Sequence, residues 1–248
     1  MVKVVARKRV TMVTPPGVFV WPKLNEPDYG TKEYPKPNGE YSVKLHLNKK
    51  DEAVKRFIAK LTEYHSAAVE NAKAKFDALK VTSRKELERR NGPGGIAINP
   101  LYKPIYDDDT EEATDTIEFK FSMLASGKRE ANGRERIWTQ KPVIVDATGR
   151  VLKNPPMIWS GTTGLVSINF EPDGYFIPGT GACGLSLKLA GVQILELVSS
   201  NGRDAKSLGF GRVEGYEGIE ESSEGSSVEN EEDEEGSNGA PGDEDEDF

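Results

Sequence analysis

Between Val213 and Phe248 the chain carries sixteen Asp and Glu and no Lys or Arg. That stretch offers too little apolar surface to offset the entropy of ordering it, so any packed core has to lie upstream. The same break divides the charge. The 248 residues have a formal net charge of −8, from 33 basic and 41 acidic residues. All 33 bases precede Val213, against 25 acids, which leaves the body at +8 and the tail at −16. A body of that sign suits a polyanionic ligand, and a tail of that sign imitates one. Residues 1–198 are accordingly read as one folded domain, and 199–248 as a disordered linker and acidic tail.

Within the body, alternating runs outnumber helical ones. Val2 to Trp21, rich in Val and Thr, reads as one or two strands broken at Pro15-Pro16-Gly17. Asn25 to Gly39, with Pro27, Pro35 and Pro37, reads as a loop. Glu40 to Leu47 sets Tyr41, Val43, Leu45 and Leu47 against Ser42, Lys44 and His46, the period of a half-buried strand. Thr116 to Ala125 does the same with Ile117, Phe119, Phe121 and Met123. A polar loop over Ser126–Arg134 follows, then strands over Arg136–Asp146, Gly164–Phe170 and Leu185–Val198. One segment, about 51–80, has helical spacing, with Val54, Phe57, Ile58, Leu61, Ala68, Ala72, Phe76 and Leu79 largely three and four apart. Asp51 is placed as its N-cap, and Asn91-Gly92-Pro93-Gly94-Gly95 stops any continuation. Ile96–Thr114 is a long acidic connection. The pattern predicts a mainly β fold, an OB-fold-like small antiparallel barrel with one inserted helix.

The strands and loops carry aromatics beside cations. Flat rings stack on unpaired bases while Lys and Arg follow the phosphates, so this pairing is what single-stranded nucleic acid requires. Phe119 and Phe121 face one way on their strand, which favours a core role and leaves Lys120 facing out. Arg134, Arg136, Trp138 and Lys141 fall within eight residues, with Trp138 on the Arg136 face. Trp159, Tyr175 and Phe176 sit in or beside Gly/Pro-rich loops. Together with Lys3 and Lys44, these residues are assigned to a single-stranded DNA surface. The tail closes on Asp243, Glu244, Asp245, Glu246, Asp247 and Phe248. An acidic run that serves solubility alone has no use for that ring; a docking peptide does, as an anchor beside charges that select a basic rim.

Signals for catalysis are sparse. Gly179-Thr180-Gly181-Ala182-Cys183-Gly184 matches the dinucleotide glycine spacing but follows Pro178 and leads into an alternating strand, so no helix N-terminus faces a pyrophosphate. Asp107-Asp108-Asp109 suggests a metal-dependent nuclease as the competing reading, against which neighbouring Glu111 and Glu112 favour a plain acidic loop. His46 and His65 lack a second ligand at zinc spacing. Lone Cys183 has no base partner in sequence and reads as a small buried residue. No cofactor or bound metal is expected. A single cysteine forbids an internal disulfide, no run of 18 apolar residues occurs, and the N-terminus lacks a signal-peptide pattern, so a soluble intracellular protein is expected.

Several motifs keep a common order. Pro27-Asp28-Tyr29-Gly30 is followed by Gly39-Glu40-Tyr41-Ser42-Val43-Lys44-Leu45, then Tyr64-His65-Ser66-Ala67-Ala68, Phe119-Lys120-Phe121, Val143-Ile144-Val145-Asp146, Leu185-Ser186-Leu187-Lys188-Leu189 and Glu196-Leu197. With the acidic end at Asp247-Phe248, this succession resembles the replication single-stranded DNA-binding proteins of short-tailed bacteriophages over most of the chain. Asn38 stands where that family has an Arg, and Ser122 and Leu124 where it has a Lys and a Tyr. The resemblance implies an OB-fold, a homodimer and a role in replication, recombination and repair of phage DNA with help in strand annealing. It also implies a tail that contacts the phage DNA polymerase and helicase-primase, and a location in the cytoplasm of the infected host. The expected protein binds DNA without catalysis, and its tail occupies the DNA groove when DNA is absent.

Overall fold

The computed structural model describes residues 9–131 and 134–198, all within the unit Met1–Asp204. Lys3 and the predicted linker and tail lie outside the described residues. In chain order the elements are β1 (Val10–Val13), β2 (Gly17–Gly30), β3 (Pro35–Asn48), α1 (Glu52–Asp77), α2 (Val81–Asn91), β4 (Ala97–Ile98), β5 (Lys103–Tyr106), β6 (Ala113–Leu124), β7 (Ser126–Ala131), β8 (Arg134–Thr139), β9 (Val143–Val145), β10 (Thr163–Phe170), β11 (Tyr175–Phe176), β12 (Ala182–Gly184) and β13 (Lys188–Glu196).

The two best-alternating runs form one wall. β3 and β6 pair antiparallel in unbroken register from Glu40↔Leu124 to Asn48↔Thr116, so both apolar faces point the same way. β2 pairs with β3, β6 runs parallel to the start of β13, β13 pairs with β10, and β10 returns to β2. Five strands therefore close a barrel of the predicted OB type, with β1, β5 and β9 added outside the ring. Closure removes the unpaired edges that an open sheet of this size would present.

Phe119 and Phe121 are fully buried and stack with centroids 5.9 Å apart. The core reading of both is the one the structure shows. Phe57 from α1 meets Phe119 edge-on at 5.6 Å, and Tyr64 meets Phe170 at 5.1 Å. The first half of α1 thus seals the barrel with Val54, Phe57 and Leu61. Each fully buried side chain of this kind contributes about 1.5–3 kcal/mol relative to exposure. The second half of α1 packs elsewhere. Val69 and Ala72 join Cys183, which is wholly buried as expected, in a minor core beside the small β11–β12–β4 sheet. Burial raises the Cys183 thiol pKa.

Several expectations are revised. The predicted helix over 51–80 is α1, but the fold has two helices where one is expected, because the chain turns at Ala78–Lys80 into α2 and brings Leu87 back beside Phe76, both buried around Gly95. Asp51 holds the N-cap position, but its side chain makes no capping bond. The predicted loop Asn25–Gly39 is instead the outer half of the β2–β3 hairpin, turning only between Gly30 and Pro35. Register shifts at Val20/Lys23, Lys23/Asp28 and Asp28/Gly30 interrupt the ladder where Pro22 and Pro27 have no N–H to give it. The polar loop Ser126–Arg134 is a strand and the start of the next, and the single strand expected over Arg136–Asp146 is split into β8 and β9.

Candidate nucleic-acid interface

Hairpin β7–β8 is a separate two-stranded ribbon that springs from the end of β6. Residues opposite one another in an antiparallel pair share a face. One face therefore carries Gly127, Trp138, Arg129, Arg136 and Arg134, and the other Lys128, Ile137, Glu130 and Glu135. Lys128 pairs with Glu135 at 3.1 Å on that second face. The first face holds cations and an indole with no acid among its residues. Arg129 lies directly across from Arg136, an arrangement that like-charge repulsion disfavours in the free protein. A polyanion laid along the ribbon removes that repulsion.

The ribbon is anchored at its base. Ala125 donates its N–H to the Gly39 carbonyl at 2.9 Å, Ser126 its hydroxyl to the Asn38 carbonyl at 2.9 Å, and Gln140 its N–H to the Ala125 carbonyl at 2.8 Å. Gly39 has φ +64 and sits tightly against Pro27, Tyr29 and Ala125, so a side chain there would push the anchor apart. Gly127 has a different task. A Cβ on it would collide with the indole of Trp138, which lies over the bare Cα. The ring is thereby held against the ribbon, only half-buried.

Two recesses lie along the same side of the barrel. The first, about 930 Å³, is lined by Arg9, Arg129, Arg136, Trp138 and Lys141 among others. The second, about 730 Å³, is lined by Lys75, Lys120, Tyr175 and Phe176. Both include Ser122, Glu171, Ser186 and Lys188, so they form one groove crossing the outer faces of β6 and the start of β13. Of the residues assigned from sequence, this groove unites Lys120, Arg136, Trp138, Lys141, Tyr175 and Phe176. Arg134 stands two residues from Arg136 on the same ribbon face.

The others are placed differently. Lys44 faces out on β3 opposite Lys120, with its ammonium 3.2 Å from Glu118. Burial alone would raise the Glu118 pKa, but hydrogen bonds from Lys44 and His46 outweigh it and the net shift is downward. Trp159 is exposed in the loop between β9 and β10, away from the lining of the groove. Tyr175 accepts a hydrogen bond from the Asn99 amide, and Phe176 also packs on the minor core. Lys3 and the tail residues Asp243 to Phe248 lie outside the described residues.

Sequence reasoning missed Arg129, Lys188, Lys75 and Arg9. Arg129 falls within the predicted loop Ser126–Arg134, and only its pairing with Arg136 gives it a face. Lys188 is legible in the sequence as the polar neighbour of Leu187 and Leu189. The nuclease reading finds no support. The Asp107 carboxylate accepts from the N–H groups of Asp109 and Thr110 and from the Thr110 hydroxyl, closing its own turn. Among the described residues, no three His, Cys, Asp or Glu converge as metal ligands.

A sequence model described as Single-stranded DNA-binding protein, Bacteriophage T7 matches residues 19–197. Among solved structures, gp2.5, a single-stranded DNA-binding protein encoded by bacteriophage T7, is 19% identical with a TM-score of 0.51, covering 86% of this chain and all of its own. The C-terminally truncated single-stranded DNA-binding protein of bacteriophage Enc34 is 14% identical with a TM-score of 0.43, covering 76% of this chain and 87% of that one. The Enc34 protein in complex with ssDNA is 13% identical with a TM-score of 0.42, covering 76% and 88%. No curated protein matches by sequence.

Proposed function

The chain belongs to the bacteriophage T7 single-stranded DNA-binding protein family, and on that premise we propose that it binds single-stranded DNA along the groove between the β7–β8 ribbon and β11. It is a phage single-stranded DNA-binding protein serving DNA replication. Arg129, Arg136, Lys141, Lys120 and Lys188 follow the phosphates, and Trp138 and Tyr175 stack on bases. The observation that carries this reading is the ribbon face, where an indole and three arginines share one side while the acids take the other. Backbone contacts of this kind are blind to sequence, as a protein coating exposed strands requires.

The protein acts by binding, without catalysis, in the cytoplasm of the infected host. No helix among the described residues is long and apolar enough to cross a membrane. Val213–Phe248 competes with DNA for the groove by charge, and the run from Asp243 to Phe248 docks the phage DNA polymerase and helicase-primase. Two copies pair as a homodimer. Recombination, repair and strand annealing follow from the same coating activity.

The direct test is reversal of the ribbon charge. Arg129→Glu with Arg136→Glu replaces two cations by anions on exposed positions, so the melting temperature should be kept while oligo-dT binding is lost. Binding equal to that of the parent would remove the ribbon from the interface.

A further inference from the structure

Trp21 has φ +47, a conformation that bulky L-residues avoid, and yet its side chain is 73% exposed. Packing therefore does not explain the strain. The extra residue comes from the register shift between Val20 and Lys23, and the Trp21 N–H is held by the Ser160 hydroxyl at 2.9 Å. Trp159, 45% exposed, precedes that serine. Its loop is pinned to β2 by the Gly161 N–H on the Phe19 carbonyl at 2.9 Å and the Ile158 N–H on Asn25 Oδ1 at 3.1 Å. Two neighbouring segments, bonded to each other, thus present two indoles to solvent.

Lysines mark the path between these rings and the groove, Lys44 among them with Glu118 3.2 Å from its ammonium. Val20, Lys44 and Lys120 lie in one cross-strand row on the outer barrel face, and Lys23, Ser42, Ser122 and Lys188 in the next. β2 is two strand spacings from β6, roughly 10 Å. Lys120 and Lys188 already line the groove.

Resting on the groove reading above, we infer that a single strand leaving the groove continues across Lys120, Lys44 and Lys23 and stacks a base on Trp21, with Trp159 as the second ring. The strained backbone at Trp21 positions the ring for that base. The occupant is single-stranded DNA, because the rows leading to the rings carry lysines and continue the groove.

Trp21→Gly tests this, because glycine relieves the positive φ while removing the ring. Oligo-dT of about 6 nucleotides fills the groove alone, and one of about 16 spans both surfaces, within the range of site sizes for such barrels. Trp21→Gly should bind the longer oligonucleotide about five-fold more weakly or worse and the shorter one as the parent does, with an equal or higher melting temperature. Trp21→Phe should recover most of the loss. Trp159→Ala should show the same dependence on length. Parental affinity for the longer oligonucleotide in Trp21→Gly and Trp159→Ala would overturn the inference. Equal loss on both lengths with a lowered melting temperature would do the same, by assigning Trp21 to the fold. If Trp138→Ala weakens both lengths while Trp21→Gly weakens neither, the groove stands and only the extension falls.

Discussion

Phe119 and Trp138 mark the difference between an aromatic that makes the fold and one that uses it. Phe119 touches Phe57, Tyr102 and Phe121 at ring distances of 5.4–5.9 Å and has no exposed surface. Phe119→Ala should cost about 3–5 kcal/mol of stability in a denaturant titration. Trp138 lies over Gly127, half-buried, and lines the groove. Trp138→Ala should weaken oligo-dT binding by roughly 1–3 kcal/mol, the range for a stacked base. Its melting temperature should hardly move; a collapsed fold with unchanged affinity per folded molecule would make Trp138 a packing residue. Strand alternation alone separated these two residues in the sequence, since Phe119 shares a period with Ile117 and Phe121 while Trp138 shares one with Arg136. What the sequence could not convey is Gly127, whose meaning depends on a partner eleven residues away.

The elements with a continuous apolar face are legible in the sequence, and the β7–β8 ribbon, which has none, is not. β3 and β6 have continuous apolar sides, and hydrophobic period reports them. The β7–β8 ribbon has a cationic side and a mixed side, so its alternation is written in charge and its first strand has the polar pattern of a loop. The outer half of β2 was hidden by Pro22 and Pro27, which bulges accommodate. Barrel closure through β10 and β13 rests on pairing between distant segments that no local window contains. Gly127→Val makes the ribbon testable as an element. A branched side chain there cannot coexist with the present Trp138 position. The ring should swing off the ribbon, and oligo-dT affinity should fall toward that of Trp138→Ala while the barrel, which does not use this contact, melts as before. Affinity unchanged in Gly127→Val would show that the ring position is immaterial to binding.

The molecule as a charge distribution is a body of +8 joined to a tail of −16. Removing Val213–Phe248 changes the formal charge from −8 to +8 and should tighten binding to single strands most at low salt. The gain should shrink as salt rises, because screening shortens the tail's reach to roughly 8 Å at physiological ionic strength. Deleting Phe248 alone leaves every acidic side chain, so DNA competition should persist while polymerase docking weakens, often by 2 kcal/mol or more for a central aromatic anchor. Equal polymerase titrations with and without Phe248 would leave charge alone as the contact. The groove itself faces its most direct test in tryptophan fluorescence titrated with oligo-dT and with a duplex of equal length, from about 50 to 200 mM salt. Each phosphate neutralised on a single strand lowers the log–log slope by about 0.7. With three to six of the groove cations engaged, the slope should lie between about −2 and −4, and the single strand should bind more tightly than the duplex throughout. A flat salt response, or tighter binding to the duplex, would contradict a single-strand groove.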